Sequence, residues 1–108
     1  MLKKQNRITI AEFKRLGRPL RFFHSPLFSI RLYNTDSEKP KCAVVVSKKA
    51  AATAVARNLA RRRFYEALYA NLASMQAYTA SVVMVTKGGV GASFAVIQKA
   101  LSEVYGVH

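Results

Sequence analysis

The chain has 108 residues, enough for one domain and too few for a two-domain enzyme. Hydrophobic residues make up 51% of it, which excludes disorder throughout and supports one modest core. Eighteen Lys and Arg against five Asp and Glu leave a net charge of +13, a self-repelling excess that points to a polyanionic partner.

The longest apolar runs, such as Ala43 to Val46, fall far short of the ~20 residues a membrane helix needs, so no membrane association is expected. No apolar stretch follows the basic residues at Met1 to Arg7, so no secretory leader is expected either. Cys42 is the single cysteine, which excludes a disulfide framework and a cysteine-based zinc site within the chain and fits a cytoplasmic location.

Taken in order, Met1 to Arg7 reads as a loosely held basic arm. Thr9 and Glu12 have the spacing of a capping box for a short helix, with Phe13 and Leu16 on one side and Gly17 and Pro19 ending it. A brief extended piece around Leu20 to Phe23 makes an edge strand. Phe28, Ile30 and Leu32 then alternate with Ser29, Arg31 and Tyr33, the pattern of a strand with one apolar face and one polar-aromatic face.

The turn-rich stretch Asn34 to Pro40 leads into the β-branched run Cys42 to Val46, an inner strand. A long helix begins between Ala52 and Val55, because Ala50 to Ala73 holds strong helix formers and no Gly or Pro. Ser81 to Val85 is a further strand, and Ser93 caps a last helix with Phe94, Ile97, Leu101 and Val104 on one stripe and Gly106 as its stop. The fold class is α+β, a small mixed sheet of about four strands in the order α-β-β-β-α-β-α, forming one domain over residues 1–108.

The chemistry concentrates in Lys48 to Arg63, which holds six cationic residues and no acidic one. On a helical wheel Ala56, Ala60, Phe64 and Ala67 form the stripe that faces the sheet, while Arg57, Asn58, Arg61, Arg62 and Tyr65 fall on the other half. Guanidinium forks match phosphate oxygens, an amide can bond base or sugar edges, and a tyrosine can stack on an unpaired base. A solvated charged helix is the alternative, but such helices interleave acids with their bases, and this one does not. A polyanion-binding face explains the imbalance.

These residues also carry a likeness. Ser47-Lys48-Lys49, Ala54-Val55-Ala56-Arg57-Asn58, Arg61-Arg62 and Glu66-Ala67 are similar to the signature of the bacterial ribonuclease P protein component, and the likeness extends to the basic arm, Phe13 and the closing strand and helix. Leu59 and Tyr65 stand where the family has arginines.

The resemblance implies the accessory protein subunit of an RNA-based endoribonuclease whose catalytic centre lies in the RNA. Such a subunit binds the catalytic RNA through the Arg-Asn helix and holds the 5′ leader of precursor tRNA in a cleft between the first helix and the open sheet face. Mg²⁺ is then held mainly by the partner RNA, none tightly by the protein, and no protein partner is required. Carried over by motif, Arg57, Asn58, Arg61 and Arg62 contact the catalytic RNA, and Phe13 and Arg31 line the leader cleft. Tyr33 joins them through the strand alternation. Lys48 and Lys49 either reach leader phosphates or solvate the strand's exit. The alternative function is a structural RNA-binding protein, such as a ribosomal component, with no part in cleavage.

Weaker signals carry less. Gly88-Gly89-Val90-Gly91 lacks the Gly-Lys-Ser/Thr ending of a phosphate loop and reads as a flexible connector. His24 and His108 are unrelated in sequence, and the five carboxylates are scattered, so no catalytic residue is assigned to the protein. Phe22 and Phe23 fit cleft or core, with core favoured, and Cys42 fits a buried packing position.

Overall fold

A computed structural model describes residues 4–106. A single-turn 3-10 helix (Lys4–Asn6) precedes α1 (Ile10–Arg15), β1 (Arg21–His24), β2 (Phe28–Asn34), β3 (Lys41–Val46) and α2 (Ala54–Ala70). A second 3-10 turn (Leu72–Ser74) leads to β4 (Thr79–Val85), α3 (Lys87–Val90) and α4 (Phe94–Val104). This is the expected order with one addition, α3. Of the arm Met1 to Arg7 expected to be loose, residues 1–3 lie outside the described ones, while Asn6 is buried and donates from Nδ2 to the Pro40 carbonyl at 2.9 Å.

The four strands form one sheet in the order β1-β2-β4-β3. β1, β2 and β4 pair antiparallel, while β3 runs parallel to β4, so the link between those two must cross back over the sheet, and α2 does it. Alternation along each strand splits the sheet into two faces. Phe28, Ile30, Val44, Val46, Val83 and Val85 point to one face and pack with Ala60, Phe64, Ala67, Leu68, Ile97 and Leu101 of α2 and α4. Phe64 and Phe28 meet edge to face with ring centroids 6.0 Å apart, the arrangement favoured by aromatic quadrupoles.

Of the helix stripe expected from the sequence, Ala60, Phe64 and Ala67 are buried, with Leu68 added, and Ala56 is half-buried against the same core. Asn71, buried at the end of α2, donates from Nδ2 to the Ala67 carbonyl and accepts from Ser102 Oγ at 3.0 Å, tying α2 to α4.

The glycine run after β4 is not a flexible connector. Thr86 Oγ1 accepts from the Gly89 N–H, capping a helical turn that lies against the segment before β2. A Cβ on Gly89 would stand 2.0 Å from the Leu27 carbonyl oxygen, so close backbone packing demands glycine there. Gly106, at φ 71°, stops α4 as expected.

Candidate nucleic-acid interface

Two surfaces hold the residues singled out by the sequence. The first is α2 with the turn before it. Ser47 Oγ accepts from the Ala50 N–H at 3.2 Å, bending the chain directly after β3 and leaving Lys48 and Lys49 exposed. Thr53 then caps α2, its hydroxyl accepting from the Ala56 N–H at 3.1 Å.

Arg57 is half-buried and donates from Nη1 to the carbonyls of Ala51 (3.0 Å) and Ala52 (3.1 Å). It thus fastens the linker to the helix as well as adding charge. Arg61 donates from Nη1 to Asn58 Oδ1 at 3.0 Å, so these two side chains form one unit a turn long, and Arg62 is exposed beside them. Among the described residues the bonds of Arg57 and Arg61 go to carbonyl and amide oxygens, which are neutral acceptors.

Tyr65 departs from expectation. It is half-buried rather than part of the exposed half: its hydroxyl accepts from the Val44 N–H at 3.2 Å, and the Arg7 guanidinium lies 5.0 Å from its ring centroid. The reason is that β3 is the last strand and its outer edge is paired by the Arg7 bridge at Cys42, so this flank of α2 overhangs the Val44 N–H and a long side chain folds down to meet it.

The second surface is the face of the sheet opposite α2 and α4. The strand register lays its side chains out in rows. Lys41, Ala80 and Tyr33 form one, Ala43, Val82, Arg31 and Phe22 the next, and Val45, Met84, Ser29 and His24 the last.

The first row is covered. Ile8 and Leu16 pack on Tyr33, Ala80 and Val82, so Tyr33 is buried and does not line an open cleft. Leu16 lies at the end of α1, whose capping box is complete: Thr9 Oγ1 accepts from the Glu12 N–H, and Glu12 Oε1 accepts from the Thr9 N–H. Glu12 Oε2 also meets Lys41 Nζ at 2.5 Å. The Lys41 ammonium, helped by the Thr9 N–H, holds the Glu12 carboxyl down at about 2. A recess of about 370 Å³ lies there, but it is lined by both Glu12 and Asp36 beside Arg15 and Lys41, a balanced charge set that does not favour phosphate.

The other two rows are open apart from Val82, which Ile8 and Leu16 cover. Phe22 is 56% exposed, Met84 39% and Val45 38%, and Phe13 on α1 is 46% exposed. Arg31 is exposed beside Phe22, its guanidinium 5.7 Å from that ring's centroid. Phe23, the next residue, packs on the core instead. The pair Phe22-Phe23 therefore divides between cleft and core, against the expectation of core for both.

Sequence reasoning missed Arg7, Val45 and Met84 as surface-forming residues and favoured the core for Phe22. Phe22 carried a usable signal, since it alternates with Phe23 on a strand opposite Arg31. The others depend on register between distant segments. Cys42 is buried as expected, and burial pushes its thiol up to about 12. Among the described residues no three His, Cys, Asp or Glu side chains gather as a ligand set.

An α+β domain with a cationic helix on one side of its sheet and exposed aromatics beside an arginine on the other has the make-up of an RNA-binding protein. The ribonuclease P family profile matches residues 2–107, and the chain belongs to that family. Membership makes it a protein subunit of ribonuclease P that works with an RNA partner in tRNA processing.

The fold is similar to that of a Staphylococcus aureus RNase P protein mutant described as defective in mRNA degradation activity. The TM-score is 0.79 at 23% identity, over 94% of this chain and 86% of that one. It is similar as well to another S. aureus RNase P protein structure, with TM-score 0.74 at 23% identity over 92% and 91% of the two chains. The Thermotoga maritima RNase P protein aligns with TM-score 0.71 at 18% identity over 86% and 84%. No curated protein sequence gives a significant match.

Proposed function

We propose that the protein holds two RNAs on opposite sides of one sheet. The α2 residues Arg57, Asn58, Arg61 and Arg62 dock on the catalytic RNA, and Lys48 and Lys49, exposed in the turn after β3, reach leader phosphates. The open rows of the sheet, with Phe13 on α1, hold the single-stranded 5′ leader of precursor tRNA in the cytoplasm. Hydrolysis of the leader takes place in the RNA, with Mg²⁺ held there, and the protein supplies binding and orientation.

The observation that carries this reading is the strip Phe22, Arg31, Met84 and Val45, exposed large side chains on the part of the face that Ile8 and Leu16 leave uncovered. Bases stack on such rings whatever their sequence, at about 1–3 kcal/mol per base, while arginine holds the backbone. Tyr33 serves beneath this surface as support for α1, since Ile8 and Leu16 seal it from solvent.

The test is reconstitution with catalytic RNA at low Mg²⁺, using precursor tRNA with a leader of several nucleotides and a substrate with a one-nucleotide leader. Replacing Phe22 and Arg31 by alanine should weaken binding of the long-leader substrate at least about tenfold and leave the short-leader substrate unchanged. Equal effects on both substrates would remove the leader from this face. Cleavage by the protein freed of RNA would overturn the division of labour.

A further inference from the structure

We infer that Arg7 is a phosphate-binding residue of the catalytic-RNA surface, mounted on the Tyr65 ring; this rests on the docking role proposed for α2. The backbone of Arg7 is fixed before any RNA arrives. It bridges Cys42 as a parallel extension of the sheet, the next N–H, from Ile8, donates to the Cys42 carbonyl at 3.0 Å, and Asn6 is tied to Pro40. Side chains paired across a ladder share a face, and Cys42 points into the core beneath α2. Arg7 therefore extends to the α2 side of the sheet edge, while Ile8, one residue on, turns to the other face and packs on Tyr33.

On the α2 side the guanidinium of Arg7 settles 5.0 Å from the Tyr65 ring centroid. Its Nε is buried and, among the described residues, has no hydrogen-bond partner. A buried donor on a charged group without an acceptor is costly, and a cation–π contact satisfies charge but not the N–H direction. The Nε itself is closed off, but Arg7 as a whole is only half-buried, so an incoming anionic oxygen would meet the terminal N–H groups of the fork. Arg61 lies one turn before Tyr65 on the same flank of the helix, its fork already oriented by Asn58. A second guanidinium, supplied from the N-terminal segment, thus stands beside the helix arginines. The ligand this pairing fits is an RNA phosphodiester, because a planar fork meets two phosphate oxygens at once.

The experiment measures affinity for the transcribed catalytic RNA across a salt series, with thermal melts of each variant. R7A should lower affinity several-fold and reduce the slope of log affinity against log salt by about 0.7–0.9, the share of one phosphate contact. R7K should keep the slope, because the charge remains. Y65F should behave as wild type in slope, since the ring persists, whereas Y65A should copy R7A, and combining Y65A with R7A should add nothing further. If R7A leaves both slope and affinity unchanged, or if Y65A and R7A add independently, the assignment is overturned. A melting temperature that falls in R7A with RNA affinity intact would make Arg7 a clamp on the strand edge and nothing more. R61A/R62A runs alongside: if that pair also leaves binding untouched, the docking role of α2 fails, whereas loss in that pair alone confines the failure to Arg7.

Discussion

Removing Arg61 and Arg62 together gives the cleanest measure of the α2 surface. Arg62 is exposed, and among the described residues Arg61 bonds Asn58, an exposed contact three residues away on the same helix. Such contacts contribute about 0.2–0.5 kcal/mol, so R61A/R62A should lower the melting temperature by no more than about 4 °C. Arg57 is a poorer probe, because its loss also releases the carbonyls of Ala51 and Ala52 and loosens the linker.

Two phosphate contacts correspond to a slope change of about 1.4–1.8 in log affinity against log salt. Between about 0.05 and 0.2 M salt, the affinity gap between wild type and variant should therefore shrink by roughly sevenfold to twelvefold. Filter binding of labelled catalytic RNA at several salt concentrations reads this directly. A gap that stays constant with salt would mean that these side chains do not neutralise phosphates, and the electrostatic account of α2 would fall.

Three further outcomes test the scaffold. The Glu12 carboxyl is held at about 2 rather than its ordinary 4.5, so its stabilising pairing with Lys41 is complete above about pH 4.5 and is lost as pH falls toward 2. Denaturant titrations should show on the order of 1 kcal/mol of acid sensitivity in that window, the worth of a partly screened pair, and E12Q should abolish it; an unchanged pH profile in E12Q would refute the pairing. Phe64→Ala empties a fully buried ring site against Phe28 and should cost about 3–5 kcal/mol by chemical denaturation. Gly89→Ala drives a methyl into the Leu27 carbonyl and should destabilise by about 1–3 kcal/mol or more, whereas Gly91→Ala, with nothing within 4 Å of the added carbon, should be neutral or slightly stabilising in the same assay.

The parts of this fold that the sequence announced are those set by neighbours in the chain. Thr9 and Glu12 are three residues apart, so their capping box is a local matter, and Thr53 sits where strong helix formers begin. The stripe of Ala60, Phe64 and Ala67 follows from the helical period, and the face of Arg31 from the strand period. What was not legible depends on where distant segments end up. The wheel gives the angle of Tyr65 but not that the sheet stops beneath it, leaving the Val44 N–H to be met. Tyr33 has the right parity for an open face, yet Ile8 and Leu16, far from it in sequence, cover it. The glycine run looked permissive because its close approach to Leu27 is a contact across some sixty residues of chain, as the bond from Thr86 Oγ1 to the Pro26 carbonyl at 2.6 Å records.

Cys42 deserves a practical use. Its sulfur lies against Met75 Sδ at 3.7 Å, at zero exposure, and a thiol held up at about 12 forms almost no thiolate at neutral pH. Alkylating reagents and disulfide exchange therefore reach it only when β3 separates from the helices above it. The rate of thiol trapping becomes a clock for that opening event, readable without a label, and it should slow when a bound RNA clamps the helix layer onto the sheet.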